Sequence, residues 1–180
     1  NMNWKVGGFT VPTTWFDSLN ALLCVISGPL TALLWQKLAA RPQGDISIFK
    51  KLGIGLAFLG IGYIYYAVID IVRGDSKPTV LLLIIFFLFL TLGEMFFSPL
   101  GNAFIGQYSP SRLLAIMSAV WGLGLFAAAK LYGNLYAFAF SGKFAFSKAC
   151  ITIAAIAFVS TVILFAIDGK LMSLVKDKDE

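Results

Sequence analysis

The chain has 180 residues, of which 59% are hydrophobic and only 13% charged, with a mean hydropathy of +0.86 and a net charge of +5. A soluble domain carries about 25% charged residues, so an ordinary soluble domain is excluded, and a disordered chain more firmly still. The excess of Lys and Arg sits at the ends of apolar runs and forms no basic face elsewhere, which argues against nucleic acid as a partner.

The opening segment, NMNWKVGGFTVP, has one basic residue and no apolar core, so it is no signal peptide. Five apolar runs follow, at about 16–35, 52–72, 79–104, 114–140 and 149–167. Each is close to the length of about 20 residues that a membrane-crossing helix needs. None alternates as a membrane β-barrel strand does. Helices are then the way to satisfy backbone groups in lipid. The expected fold is an all-α, polytopic membrane helix bundle, with a polar tail over 168–180.

The first run carries the stripe Asp17, Asn20, Cys24, Ser27 and Thr31, spaced at helical intervals, with Pro29 in its middle. Asn20 is an amide that can donate and accept; it either binds a ligand or joins two helices. The second run carries Gly53, Ala57 and Gly60, a small-residue face for close helix packing. The third places Glu94 near mid-membrane, where a charge costs on the order of 3 kcal/mol. Thr91, Ser98, Gly101 and Asn102 share its stripe, and Pro99 follows. Such a stripe faces a cavity or another helix, not lipid. Pro29 and Pro99 each remove a backbone N–H and are expected to kink their helices. In the fourth run Trp121 lies on a face with Ser118, Leu125 and Ala128, as a packing residue or a binding wall. Lys130 lies in the same run; it either snorkels outward or pairs with Asp17.

The chain has no His, which excludes His-based zinc sites and a His general base. Cys24 and Cys150 both fall in or beside apolar runs and read as inert thiols. The deep carboxylate is single, so neither an enzyme nor a metal site is expected, and no cofactor is implied.

Lys and Arg counts set the expected orientation. Lys37, Arg41, Lys50, Lys51, Arg112, Lys170, Lys176 and Lys178 make eight on one side. Lys5, Arg73, Lys77, Lys143 and Lys148 make five on the other. The N-terminus is expected outside the cell and the C-terminus in the cytoplasm.

VPTTWFDSLNALLCVISGPLTALLW (11–35) resembles the P-x-x-W-F-x-S-L-N segment of the proton-dependent oligopeptide transporter family. GEMFFSPLGNAFIGQYSPSRLLAIMSAVWG (93–122) resembles that family's G-E-x-x-x-S-P-x-G stretch and the Pro, basic residue, Met and Trp that follow. The resemblance implies a major facilitator superfamily fold, with the five spans as helices 8–12 of twelve. It implies a proton-coupled symporter of di- and tripeptides in the plasma membrane, with protons as coupling ion. Glu94 matches the acid that meets the peptide's amino group, and Asn20 an amide at the same end. Trp121 matches a pocket aromatic, Ser98 lies near the site, and Pro99 shapes the helix. The partners implied are peptides, the bilayer and the N-terminal helices of the same transporter. The five spans, and a Met in second place, then read as six spans less one.

The chain departs from the family pattern at Asp17, where Gln is usual, at Ala21, where Pro is usual, and at Gly122, where an aromatic is common. Ala128 and Ala129 stand in place of a Gly-Asn pair. Two other readings are a facilitator of another small substrate, such as a drug, nitrate or an amino acid, and a non-transporting membrane interaction protein.

Overall fold

The computed structural model describes the chain apart from residues 1–4, 7, 13, 43, 75, 78, 141–144 and 177–180; for Asp17 it describes the backbone alone. Five long helices dominate it: α1 (Trp15–Ala39), α2 (Ile48–Arg73), α3 (Leu81–Tyr108), α4 (Leu114–Phe140) and α5 (Phe146–Lys176). All five are long and apolar enough to cross a membrane. A small antiparallel hairpin, β1 (Lys5–Val6) and β2 (Phe9–Thr10), precedes them, turning at Gly8 with φ +86. Hydropathy gave no sign of it, because two-residue strands carry no periodicity.

The helix ends follow local chemistry. Ser47 opens α2, its hydroxyl accepting from the Lys50 N–H at 3.3 Å. Gly74, at φ +54, follows the last turn. Ser109 turns extended before Pro110 and closes α3, as the residue before a proline tends to do. Helices α1 and α3 continue through Pro29 and Pro99. The polar stretch from residue 168, read from sequence as a tail, begins inside α5, which runs on to Lys176.

Helix α2 is the centre of the bundle. One side packs on α5 and another on α3, and each contact is built on glycine. A Cβ at Gly60 would stand 3.0 Å from the Phe158 ring of α5, and one at Gly53 would meet Phe165 at 3.6 Å. On the other side, a Cβ at Gly55 would lie 2.9 Å from the Phe96 Cβ and 3.0 Å from the Gly93 carbonyl oxygen of α3. The relation is mutual: a Cβ at Gly93 would lie 2.9 Å from the Gly55 oxygen. Two backbones meet here with no side chain between them. The α5 face was legible as Gly53, Ala57 and Gly60. The α3 face, Gly55 and Gly62, was not.

Polar groups fasten both ends of the α2–α5 pair. At one end Asp168 of α5 is buried, accepts a hydrogen bond from the Ser47 hydroxyl and meets the Lys50 ammonium at 3.2 Å. Beside it, Lys51 pairs with Asp45 at 2.7 Å and lies over the Trp35 ring of α1, 5.0 Å from its centroid. At the other end Asp70 accepts from Arg73 at 2.6 Å and from the Ser147 N–H at 3.1 Å, capping the start of α5. The two helices therefore run antiparallel. Helix α1 lies along α3, with Trp35 and Phe96 ring centroids 5.1 Å apart. Helix α4 stands apart: no residue of its most apolar window is buried.

Candidate functional site

The stripe expected on α3 divides by depth. Thr91 is fully buried, at 0% exposure, and Gly101 is buried. Ser98 is half-buried, while Glu94 and Asn102 are exposed. The geometry of α3 accounts for this. Gly93 and Phe96 must face α2 to make the close seam. Neighbouring residues along a helix point about 100° apart. Glu94 is therefore turned off the seam, and Thr91 is turned toward α1.

A hydrogen bond joins α1 to that stripe. The Thr91 hydroxyl donates to Asn20 Oδ1 at 2.8 Å. Cys24 lies one turn further along α1 and is half-buried. The remaining stripe residues Ser27 and Thr31 are buried, and the Thr31 hydroxyl donates to the Gly28 carbonyl at 2.8 Å. Asn20 thus makes the interhelical bond that sequence reading held open as an alternative to ligand binding, and stays half-buried while doing so. The stripe spacing showed that Asn20 and Thr91 were polar; only packing brought them together.

Trp121 connects α4 to the same stripe. Its ring stacks on Phe97, centroids 5.7 Å apart and planes 26° apart. Its edge fills the space beside Gly101, where a Cβ would lie 2.5 Å from two indole carbons. The glycine of the S-P-x-G stretch thus leaves room for the indole, a relation that spacing alone does not show. Lys130, further along α4, is exposed. Its expected partner, the Asp17 side chain, lies outside the described residues, as do Lys143 and Lys178 of the charge count. Pro29 and Pro99 are both on exposed faces. Among the described residues, no three of His, Cys, Asp and Glu are grouped to hold a metal ion.

The arrangement is a wall of three helices. Asn20 and Cys24 come from α1, Glu94 and Ser98 from α3, and Trp121 from α4. It offers one carboxylate, one amide and one large aromatic face. Such a set suits a cationic group with a short polar neighbour.

A family model described as the POT family matches residues 1–157. The chain belongs to the POT family. It is 34% identical over 138 residues to the peptide transporter YePEPT of Yersinia enterocolitica, covering 73% of this chain and 27% of that protein. It is 28% identical over 142 residues to the dipeptide and tripeptide permease B of Aeromonas hydrophila, covering 77% of this chain and 28% of that protein. A crystal structure of a POT peptide transporter in complex with alafosfalin matches with a TM-score of 0.87 and 28% identity, over 98% of this chain and 35% of that one. Another, in complex with sulfate, matches with a TM-score of 0.86 and 27% identity, over 98% of this chain and 35% of that one. The chain therefore spans about a quarter of the length of the curated relatives it matches. The family assignment and the membrane helix bundle expected from the sequence both stand.

Proposed function

We propose that this chain serves as the C-terminal part of a proton-coupled di- and tripeptide symporter and supplies the subsite for the peptide's amino end. The observation that carries the reading is the position of Glu94. It stands midway along the 28 residues of α3 and is exposed. Facing lipid there, a carboxylate costs on the order of 3 kcal/mol, so its face belongs to a polar cavity or to further protein. A peptide ammonium offsets that cost, because each charge satisfies the other. The peptide-transporting relatives support the substrate class.

In this reading Asn20 holds the same end of the peptide, Trp121 forms a wall beside it, and Ser98 lies at the margin. The exposed faces of α4 are covered by the remaining helices of the transporter. Two bundles rock about the central site, exposing it to each side in turn. Pro29 and Pro99 give the gating helices their bend, and protons drive the cycle. The N-terminus of the chain faces outward and its C-terminus the cytoplasm.

The test is Glu94→Gln in the full-length transporter. Dipeptide uptake should fall to background with the membrane amount unchanged. Wild-type uptake by that variant would defeat the reading.

A further inference from the structure

We infer that Thr91 is a positioning residue of this subsite, its hydroxyl fixing the direction in which the Asn20 carboxamide presents its donor and acceptor. The inference rests on the reading of Glu94 and Asn20 as the amino-end pair.

A terminal carboxamide has two orientations of nearly equal shape, which exchange its oxygen and its NH2 group. Asn20, half-buried on α1, has no intrinsic reason to choose one. Thr91 supplies the choice. It is fully buried, and its hydroxyl reaches Asn20 Oδ1 at 2.8 Å. Its β-branched side chain is stiff at χ1, so the hydroxyl is a fixed point and not a mobile one. A helical threonine can also satisfy its hydroxyl on the carbonyl four residues earlier. The bond to α1 is therefore not needed merely to keep a buried hydroxyl satisfied.

The location ties the bond to the acid. Thr91 and Glu94 are three residues apart on α3, and Asn20 and Cys24 four apart on α1, so each pair shares a helix face. The Thr91–Asn20 bond thus sits one turn from the carboxylate along α3. With Oδ1 engaged by Thr91, Asn20 retains two N–H donors and one oxygen lone pair. That combination fits the first residue of a peptide: the lone pair accepts from the ammonium, and an N–H donates to the first carbonyl. The substrate class favoured is one that carries both groups side by side.

The test measures uptake by the full-length transporter, with a free dipeptide and its N-acetylated form. Thr91→Val keeps the shape and removes the hydroxyl. The free dipeptide's KM should rise roughly 3- to 10-fold, the scale of one interhelical hydrogen bond, while Vmax and membrane amount hold. Thr91→Ser, which keeps the hydroxyl without the stiff branched side chain, should restore KM in part. In an Asn20→Ala background, Thr91→Val should add nothing, and discrimination against the N-acetylated form should shrink equally in both single variants. An unchanged KM, an equal rise on Asn20→Ala, or a loss of membrane amount that Ser does not restore overturns the positioning role. Where valine blocks insertion, Thr91→Ala is read in the same way. A raised KM for Asn20→Ala beside a normal one for Thr91→Val defeats this inference alone. Normal KM values for both Asn20→Ala and Glu94→Gln instead defeat the amino-end reading beneath it.

Discussion

The α2–α3–α5 seam and the face shared by α1, α3 and α4 use the same residue types in opposite ways. In the seam glycines bring backbones together, as where Gly55 and Gly93 each stand against the other's carbonyl oxygen. Polar groups there are spent inside the protein: Thr161 meets the Gly53 carbonyl at 3.1 Å, Asp168 holds Ser47 and Lys50, and Asp70 caps α5. On the other face a glycine makes room for a side chain, Gly101 for Trp121. Its central acid, Glu94, points outward. The first region is closed within the chain. The second leaves its acid on an exposed face, and its residues are those that the family resemblance implies, and our proposal takes, as substrate contacts.

Substitutions in each region test this contrast. The largest effect is expected at Gly93→Val. The atom in the way is a backbone oxygen at 2.9 Å, which cannot swing aside. Overpacking of this kind costs about 1–3 kcal/mol, and more where the backbone must move. The full-length protein should fail to accumulate in the membrane, as quantitative immunoblotting of membranes would read. Normal accumulation would show that the seam yields more easily than its geometry implies.

An intermediate effect is expected at Asp168→Ala. The change leaves the Ser47 hydroxyl without its acceptor and Lys50 without its counter-ion, at a cost of about 1–3 kcal/mol. The thermal midpoint of the purified transporter in detergent should fall, while the KM for dipeptide stays the same. A changed KM with an unchanged midpoint would move this end of the bundle from support to function.

The smallest effect on stability is expected at Gly101→Ala. The new Cβ meets the far edge of an indole at 2.5 Å, and a side chain can rotate away. The protein should fold and insert normally. Uptake should instead change in its preference among peptide side chains, since Trp121 is displaced from Phe97. Loss of folding, with no change in preference, would place Gly101 with the seam glycines and erase the contrast.

Much of the helix bundle was legible because hydrophobic length is a local property, summed along the chain without knowledge of neighbours. Glu94 was legible for the same reason: one charge in a long apolar run stands out wherever the run packs. Asn20 was visible as a polar group but not in its role, because ligand binding and helix joining ask for the same amide. Gly55 and Gly62 were missed because a glycine in a membrane helix carries no mark of which helix it will meet. Asp168 was read as the start of a polar tail, whereas it is buried within α5. Its sequence neighbours are polar, and its partners, Ser47 and Lys50, lie far back along the chain.

Five membrane-length helices, one deep acid and the family to which they belong could be read along the chain. These depend on composition and on order along the chain. Tertiary structure alone decided that Gly93 locks α3 to α2, that this turns Glu94 away from the seam, and that Thr91 then meets Asn20. Each is a matter of rotation about a helix axis. That rotation is set by which backbones can approach most closely, a contact between residues that the sequence keeps apart.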